Sequence, residues 1–144
     1  MLSMTERLTR TLQRFRSADR QTRLELLLDY SKRLPPLPPH LIAARDQGLN
    51  LVHECQSPVY LYLEREAGGV RLHADAQREA PTVRGFVSLL ARAVEGEPAT
   101  EAAALPPDLL DQLGLTEALG MTRMQGLTAI VARIRRMAAE LAGS

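Results

Sequence analysis

Leu51-Val52-His53-Glu54-Cys55-Gln56-Ser57-Pro58-Val59-Tyr60-Leu61-Tyr62 is the stretch from which the fold is read, and it holds the chain's only cysteine. Apolar and polar residues alternate on both sides of Cys55 with the two-residue period of a half-buried strand. Gln56-Ser57-Pro58 interrupts the alternation, and Pro58 has no amide proton to give to a ladder, so a turn is expected there with a new strand just after it. Cys55 is thereby placed at or near a loop tip. One cysteine excludes an internal disulfide, a four-cysteine zinc site and an iron-sulfur cluster held by this chain's own thiolates. The chemistry left to it is that of a single thiol: nucleophile, redox sensor or carrier of a transferable group.

Working outward, residues 50–54, 59–64 and 70–74 read as three strands, with Ala67-Gly68-Gly69 as the tight turn between the last two. The middle strand places Val59, Leu61 and Leu63 on one face and Tyr60 and Tyr62 on the other. A meander of three strands needs a helical layer over its apolar face. Helices are predicted on both sides in sequence. Residues 2–15 carry apolar positions 4, 8, 12 and 15. Ser17 and Asp19 offer N-cap oxygens for a second helix, with Leu24, Leu27, Leu28 and Ser31 as its stripe and its end near Arg33. Pro35-Pro36-Leu37-Pro38-Pro39 cannot continue that helix, and a stiff extended connector is favoured over a ligand for a proline-recognising partner. One or two helical turns follow over residues 40–47, ended by Gly48.

Beyond the strands, Pro81 opens a helix with Val83, Phe86, Leu90, Ala93 and Val94 on one side, closed by Gly96 and Pro98. Residues 100–113 give two short helices broken by Pro106-Pro107. Residues 122–141 carry Leu127, Ile130, Val131, Ile134, Met137, Ala138 and Leu141 at spacings of three and four, the strongest helical signal in the chain, and Thr122 to Gln125 fits a capping box. The expectation is one α+β domain over residues 1–144, a three-stranded antiparallel sheet covered by helices.

Composition narrows the function. The 144 residues carry 18 basic and 17 acidic side chains, a net charge of +1, so no electrostatic footprint for nucleic acid or a membrane surface is present. Three Tyr, two Phe and no Trp make an aliphatic core and offer no platform for stacking bases. No run approaches the roughly 18 apolar residues of a membrane span, and residues 1–15 carry charges throughout, unlike a signal peptide. A soluble cytoplasmic protein is expected, and an unpaired thiol persists in that reducing compartment.

Four blocks in order carry a family resemblance: Leu34-Pro35-Pro36-Leu37-Pro38; Val52 to Val59 around Cys55; Ala80-Pro81-Thr82-Val83-Arg84-Gly85-Phe86 with Leu89, Leu90 and Gly96; and Leu113-Gly114-Leu115 with Arg123, Gly126 and Leu127. Together they resemble the SufE family of sulfur-acceptor proteins over about residues 20–137. The resemblance implies a SufE/IscU-like fold and a covalent carrier that stimulates its donor instead of a stand-alone enzyme. It implies that Cys55 accepts a persulfide sulfur from a SufS-type cysteine desulfurase and hands it to an iron-sulfur scaffold complex. It also implies no cofactor of its own, pyridoxal phosphate belonging to the desulfurase, no resident metal, and a monomer or weak homodimer.

Gln56 and Ser57 belong to the same block as Cys55, and the flanking Leu51, Val52 and Val59 are expected to give the thiol an apolar resting pocket. Arg123 aligns with an arginine the family places at the start of its last helix, suited to orienting a persulfide or favouring a thiolate; Arg84 and Arg123 are candidates for docking a partner. Glu54 is a departure, since the family carries glycine before its cysteine. Glutamate restricts the loop and sets a negative charge beside the thiol, which raises its pKa. His53 is a candidate to offset that charge. The loop at residues 75–79 is about two residues longer than usual. Two other readings stay open. One is a module of the same fold that binds a desulfurase or scaffold without transferring sulfur; the other is a metal site of His53, Cys55 and His73.

Overall fold

The computed structural model describes residues 3–144. Helix α1 (Met4–Arg16) is capped by Ser3, whose hydroxyl accepts from the Glu6 amide at 3.2 Å, and it buries Met4, Leu8 and Phe15. Of the helix predicted over residues 2–15, the first residue lies outside the described residues. Helix α2 (Arg20–Ser31) starts on Asp19, whose carboxylate accepts from the Thr22 amide at 2.8 Å. Its buried side is Leu27, Tyr30 and Ser31, while Leu28, predicted to face inward, is exposed. The proline run is extended and leads into α3 (Pro39–Asp46), beyond which Gly48 turns the chain at φ 77°.

Strands β1 (Val59–Glu66) and β2 (Gly69–Ala76) form an antiparallel hairpin in the register Leu61↔Ala74, Leu63↔Leu72. Ala67 and Gly68 both take positive φ, 47° and 85°, as a two-residue turn matched to the strand twist requires. The predicted third strand over residues 50–54 is not formed. What remains of it is one bridge, Leu51 opposite Tyr60, plus a hydrogen bond from the Val52 amide to the Val59 carbonyl at 2.8 Å. The reason is local. Asn50 enters with φ 61°, its side-chain amide donating to the Leu61 carbonyl, and the Cys55 amide turns back onto the Val52 carbonyl at 3.3 Å. The alternation in sequence therefore continues through a segment whose backbone curls at both ends.

Helix α4 (Pro81–Val94) packs on β2 and on α2, and Gly85 is what lets α2 so close, because a Cβ there would strike the Leu27 carbonyl. Helices α5 (Ala99–Ala103), α6 (Leu109–Gln112) and α7 (Met121–Ala142) complete the layer, with α7 set against β1 and α5. The expected capping box at Thr122 is absent, since α7 begins one residue earlier with Gly120 as a cap that offers no side chain. None of the helices among the described residues is long and apolar enough to cross a membrane.

The hairpin separates two clusters. On its inner face Val59, Leu61, Val70, Leu72, Ala74 and Ala76 join Phe86, Leu90, Leu127, Ile130 and Ile134 in the main core. On its outer face Tyr62 packs with Leu37 and Leu41 in a smaller cluster, and its hydroxyl donates to the Leu49 carbonyl at 2.6 Å. The proline run and α3 are thus the lid of the second face, a role the composition of the run alone does not reveal.

Candidate functional site

Val52 and Val59, which bracket the cysteine loop, are both fully buried and joined by the hydrogen bond between their backbones. The loop is tethered at its two ends while His53, Glu54, Gln56 and Pro58 face solvent. Cys55 itself is half-buried, its thiol directed at the Gly126 carbonyl on α7, 3.6 Å from Sγ. Gly126 is the condition for this seat. A Cβ there would lie 3.1 Å from the cysteine Sγ and 3.3 Å from its Cα, inside ordinary packing distance.

Beside the thiol opens a cleft of about 210 Å³. Its walls are the loop (Cys55, Gln56, Ser57), the first turn of α4 (Pro81, Thr82, Val83) and the start of α7 (Thr122, Arg123, Gly126). Neither helix has a side-chain cap, Ala80 and Gly120 standing where a serine or aspartate would accept the first amides. Their unpaired N–H groups and the positive ends of two helix dipoles belong to the same corner as the thiol. Arg123 adds a guanidinium on the exposed side.

Burial pushes the Cys55 thiol up to about 11, and the Glu54 carboxylate adds to the rise. In this seat about one thiol in 3,000 is ionised at pH 7.5, against about a tenth for a free cysteine. At rest the cysteine is held as the thiol. Glutamate in place of glycine does not strain the loop, for Glu54 is not among the residues with positive φ. Its effect is electrostatic and second in size to burial.

The chain matches SufE, described as an Fe-S metabolism associated domain, over residues 9–138. It belongs to the SufE family. An uncharacterised SufE-like protein of Mycobacterium tuberculosis is 40% identical over 123 residues, 85% of this chain and 84% of the relative. The sulfur acceptor protein CsdE of Escherichia coli is 37% identical over 106 residues, 72% of this chain and 68% of that protein. Among solved structures, the solution structure of a hypothetical protein from Thermus thermophilus superposes with a TM-score of 0.79 at 34% identity, covering 95% of this chain and 96% of that one.

Against this SufE background, the structure brings together Cys55, Gln56, Ser57 and Arg123 around one cleft. His53 and Glu54 are both exposed on the loop, and no ion pair joins them among the described residues. Of Leu51, Val52 and Val59, expected to wall an apolar resting pocket, the two valines belong to the main core, against which Cys55 packs, while the thiol points at the Gly126 carbonyl on α7. Arg84 is no docking side chain, because its guanidinium donates to the carbonyls of Ser31, Leu34 and Ala76, tying α2, the proline run and β2 together. The grouping of His53, Cys55 and His73 is not formed, since His73 pairs with Glu64 and Glu66 at the far end of the hairpin. Sequence reasoning missed Gly126 and the first turn of α4 as parts of the site. The signal for Gly126 was present, a glycine on the buried stripe of the strongest helix, where it costs about 1 kcal/mol and so demands a packing reason.

Proposed function

We propose that Cys55 is the sulfur acceptor of this SufE protein, loaded by a SufS-type cysteine desulfurase whose turnover it stimulates, and that it passes the sulfur to an iron-sulfur scaffold. The observation that carries this reading is the seat of Cys55: the chain's lone thiol, on a loop anchored at both ends, beside a cleft made by two uncapped helix starts and Arg123. The name of the E. coli relative, a sulfur acceptor protein, supports it.

The transfer is an exchange without net oxidation. Cys55 as thiolate attacks the outer sulfur of the desulfurase persulfide; the new S–S bond forms to Cys55 as the old one breaks, and the donor cysteine leaves as thiolate to recover the proton that Cys55 gave up. In the seat the thiol is protonated, so attack requires residues 53–58 to swing out between Val52 and Val59, where the ordinary cysteine pKa returns. On the way back the terminal sulfur enters the cleft as an anion, facing the amides of α4 and α7 and the guanidinium of Arg123. Uptake and storage thus use the two positions of one loop.

The test is intact mass after incubation with a SufS-type desulfurase, pyridoxal phosphate and cysteine, on this protein and on Cys55→Ser. The expected result is a gain of one sulfur atom that is removed by reductant and absent in the variant, together with faster sulfide release by the desulfurase. Binding to the desulfurase without an adduct sinks transfer and supports the second reading, a docking module.

A further inference from the structure

On the outer face of the hairpin, at the end of β1 away from Cys55, three side chains converge and a fourth stands beside one of them. Glu64 and Glu66 lie two apart on β1 and share a face; His73, opposite Tyr62 in the register, comes from β2; His40 comes from the first turn of α3. His73 Nε2 is 2.9 Å from Glu66 Oε2 and 3.5 Å from Glu64 Oε1, and His40 Nε2 is 3.0 Å from both oxygens of Glu64. One ligand atom each from Glu64, Glu66 and His73 fit within 4.8 Å of one another.

His73 Nε2 faces both carboxylates at once, and a single N–H can be directed at only one of them. A cation at the centre of Glu64, Glu66 and His73 meets the imidazole nitrogen and one oxygen of each carboxylate. For a tetrahedral ion with bonds of about 2.0 to 2.1 Å to nitrogen and oxygen, neighbouring donors stand about 3.3 Å apart, the middle of the separations found here. The two carboxylates carry two negative charges, the complement of a divalent ion.

The surroundings agree. The His73 side chain is only 12% exposed, so this ligand is held before any ion arrives, and Arg71 Nη1 lies 3.7 Å from Glu66 Oε1, leaving Oε2 for the centre. A cleft of about 300 Å³ that borders His40, Glu66 and His73 between the proline run and β2 gives an entry path. We propose that Glu64, Glu66 and His73 form a binding site for a divalent transition-metal ion, zinc by its imidazole and carboxylate donors, with His40 hydrogen-bonded to Glu64 beside it. Imidazole ligands favour zinc over magnesium or calcium. The bound ion links the two strands of the hairpin and leaves the sulfur chemistry of Cys55 untouched.

The test is titration of chelator-stripped protein with Zn²⁺ against a chromophoric competitor at pH 7.5, and with Co²⁺ read by visible absorption. It uses the unaltered chain, Cys55→Ser, His73→Ala and Glu66→Gln. One equivalent is expected, with a rise in Tm on zinc addition, equal affinity in Cys55→Ser, and affinity at least about tenfold weaker in the other two variants. The cobalt spectrum should show ligand-field bands without thiolate charge transfer. Glu66→Gln alters an exposed side chain, so it decides the matter if His73→Ala fails to fold. No binding at about 100 μM metal, binding unchanged in Glu66→Gln, or binding that disappears with Cys55→Ser overturns the site.

Discussion

At the Cys55 seat a half-buried thiol has no ionic partner and is held neutral by desolvation, whereas on the outer face of the hairpin exposed acids stand against histidines and Glu66 is held below the ordinary carboxylate range by His73. Both regions touch β1, one just before its first residue and one at its last turn. The difference teaches where each can respond. Burial without a partner makes a group latent: its chemistry is switched by moving it, because a change of position restores the water that ionisation needs. Pairing at the surface makes groups charged at rest, responsive to ions and salt but worth little to stability.

The sharpest way to break this contrast is to evict the thiol without touching it. Gly126→Ala puts a methyl 3.1 Å from Cys55 Sγ. The helix itself gains about 1 kcal/mol from losing a glycine, so folding is expected to survive while the seat is lost. If burial is what silences the thiol, its pKa falls from about 11 toward the free value. Alkylation by iodoacetamide at pH 7.5 should then rise by tens of fold, and up to about 300-fold. Unchanged alkylation means the loop already leaves the seat in the resting protein, and latency is not set by burial.

A smaller effect separates the two causes of the shift. Glu54→Gln removes the charge but leaves the burial, so the thiol should ionise more readily yet stay above an ordinary cysteine, with alkylation several-fold faster. The pH dependence follows with a definite sign. A folded pKa raised above the unfolded value contributes stability that is complete below about pH 8.5 and is lost as pH climbs toward 11. Relative to Cys55→Ser, the unaltered chain should therefore lose Tm between about pH 9 and 11, and Glu54→Gln should lose less. Equal slopes in all three proteins would falsify the seat as the origin of the shift.

How far the sequence revealed these two regions differs for physical reasons. The helices were legible because Leu127, Ile130, Val131 and Ile134 repeat at helical spacing, and the β1–β2 hairpin because Val59 and Leu61 alternate with Tyr60 and Tyr62 before a glycine turn. Cys55 at a loop with Gln56, Ser57 and Arg123 was legible from motif order. The absent strand was not, because alternation records which side chains are apolar and says nothing of a backbone that turns at Asn50 and again at Cys55. The partner of Gly126, the first turn of α4 and the pairing of His40 and His73 through Glu64 were hidden for a different reason. They depend on which elements meet in space, across 71 residues in the case of Cys55 and Gly126.

The smallest effect tests the other half of the contrast. If the outer face owes its cover to packing and one good hydrogen bond, its ion pairs should be nearly silent in stability. Tyr62→Phe removes the hydroxyl that donates to the Leu49 carbonyl at 2.6 Å and leaves the ring in place against Leu37 and Leu41. It should cost about 1 kcal/mol in denaturant unfolding, since a partly buried carbonyl loses its donor. Glu64→Gln in metal-free buffer should cost no more than about 0.5 kcal/mol, because its pair with His40 is open to solvent and its contact with His73 is long, 3.5 Å. The reverse order, with Glu64→Gln the costlier change and stability falling in high salt, would mean that charge, not packing, holds α3 to the sheet.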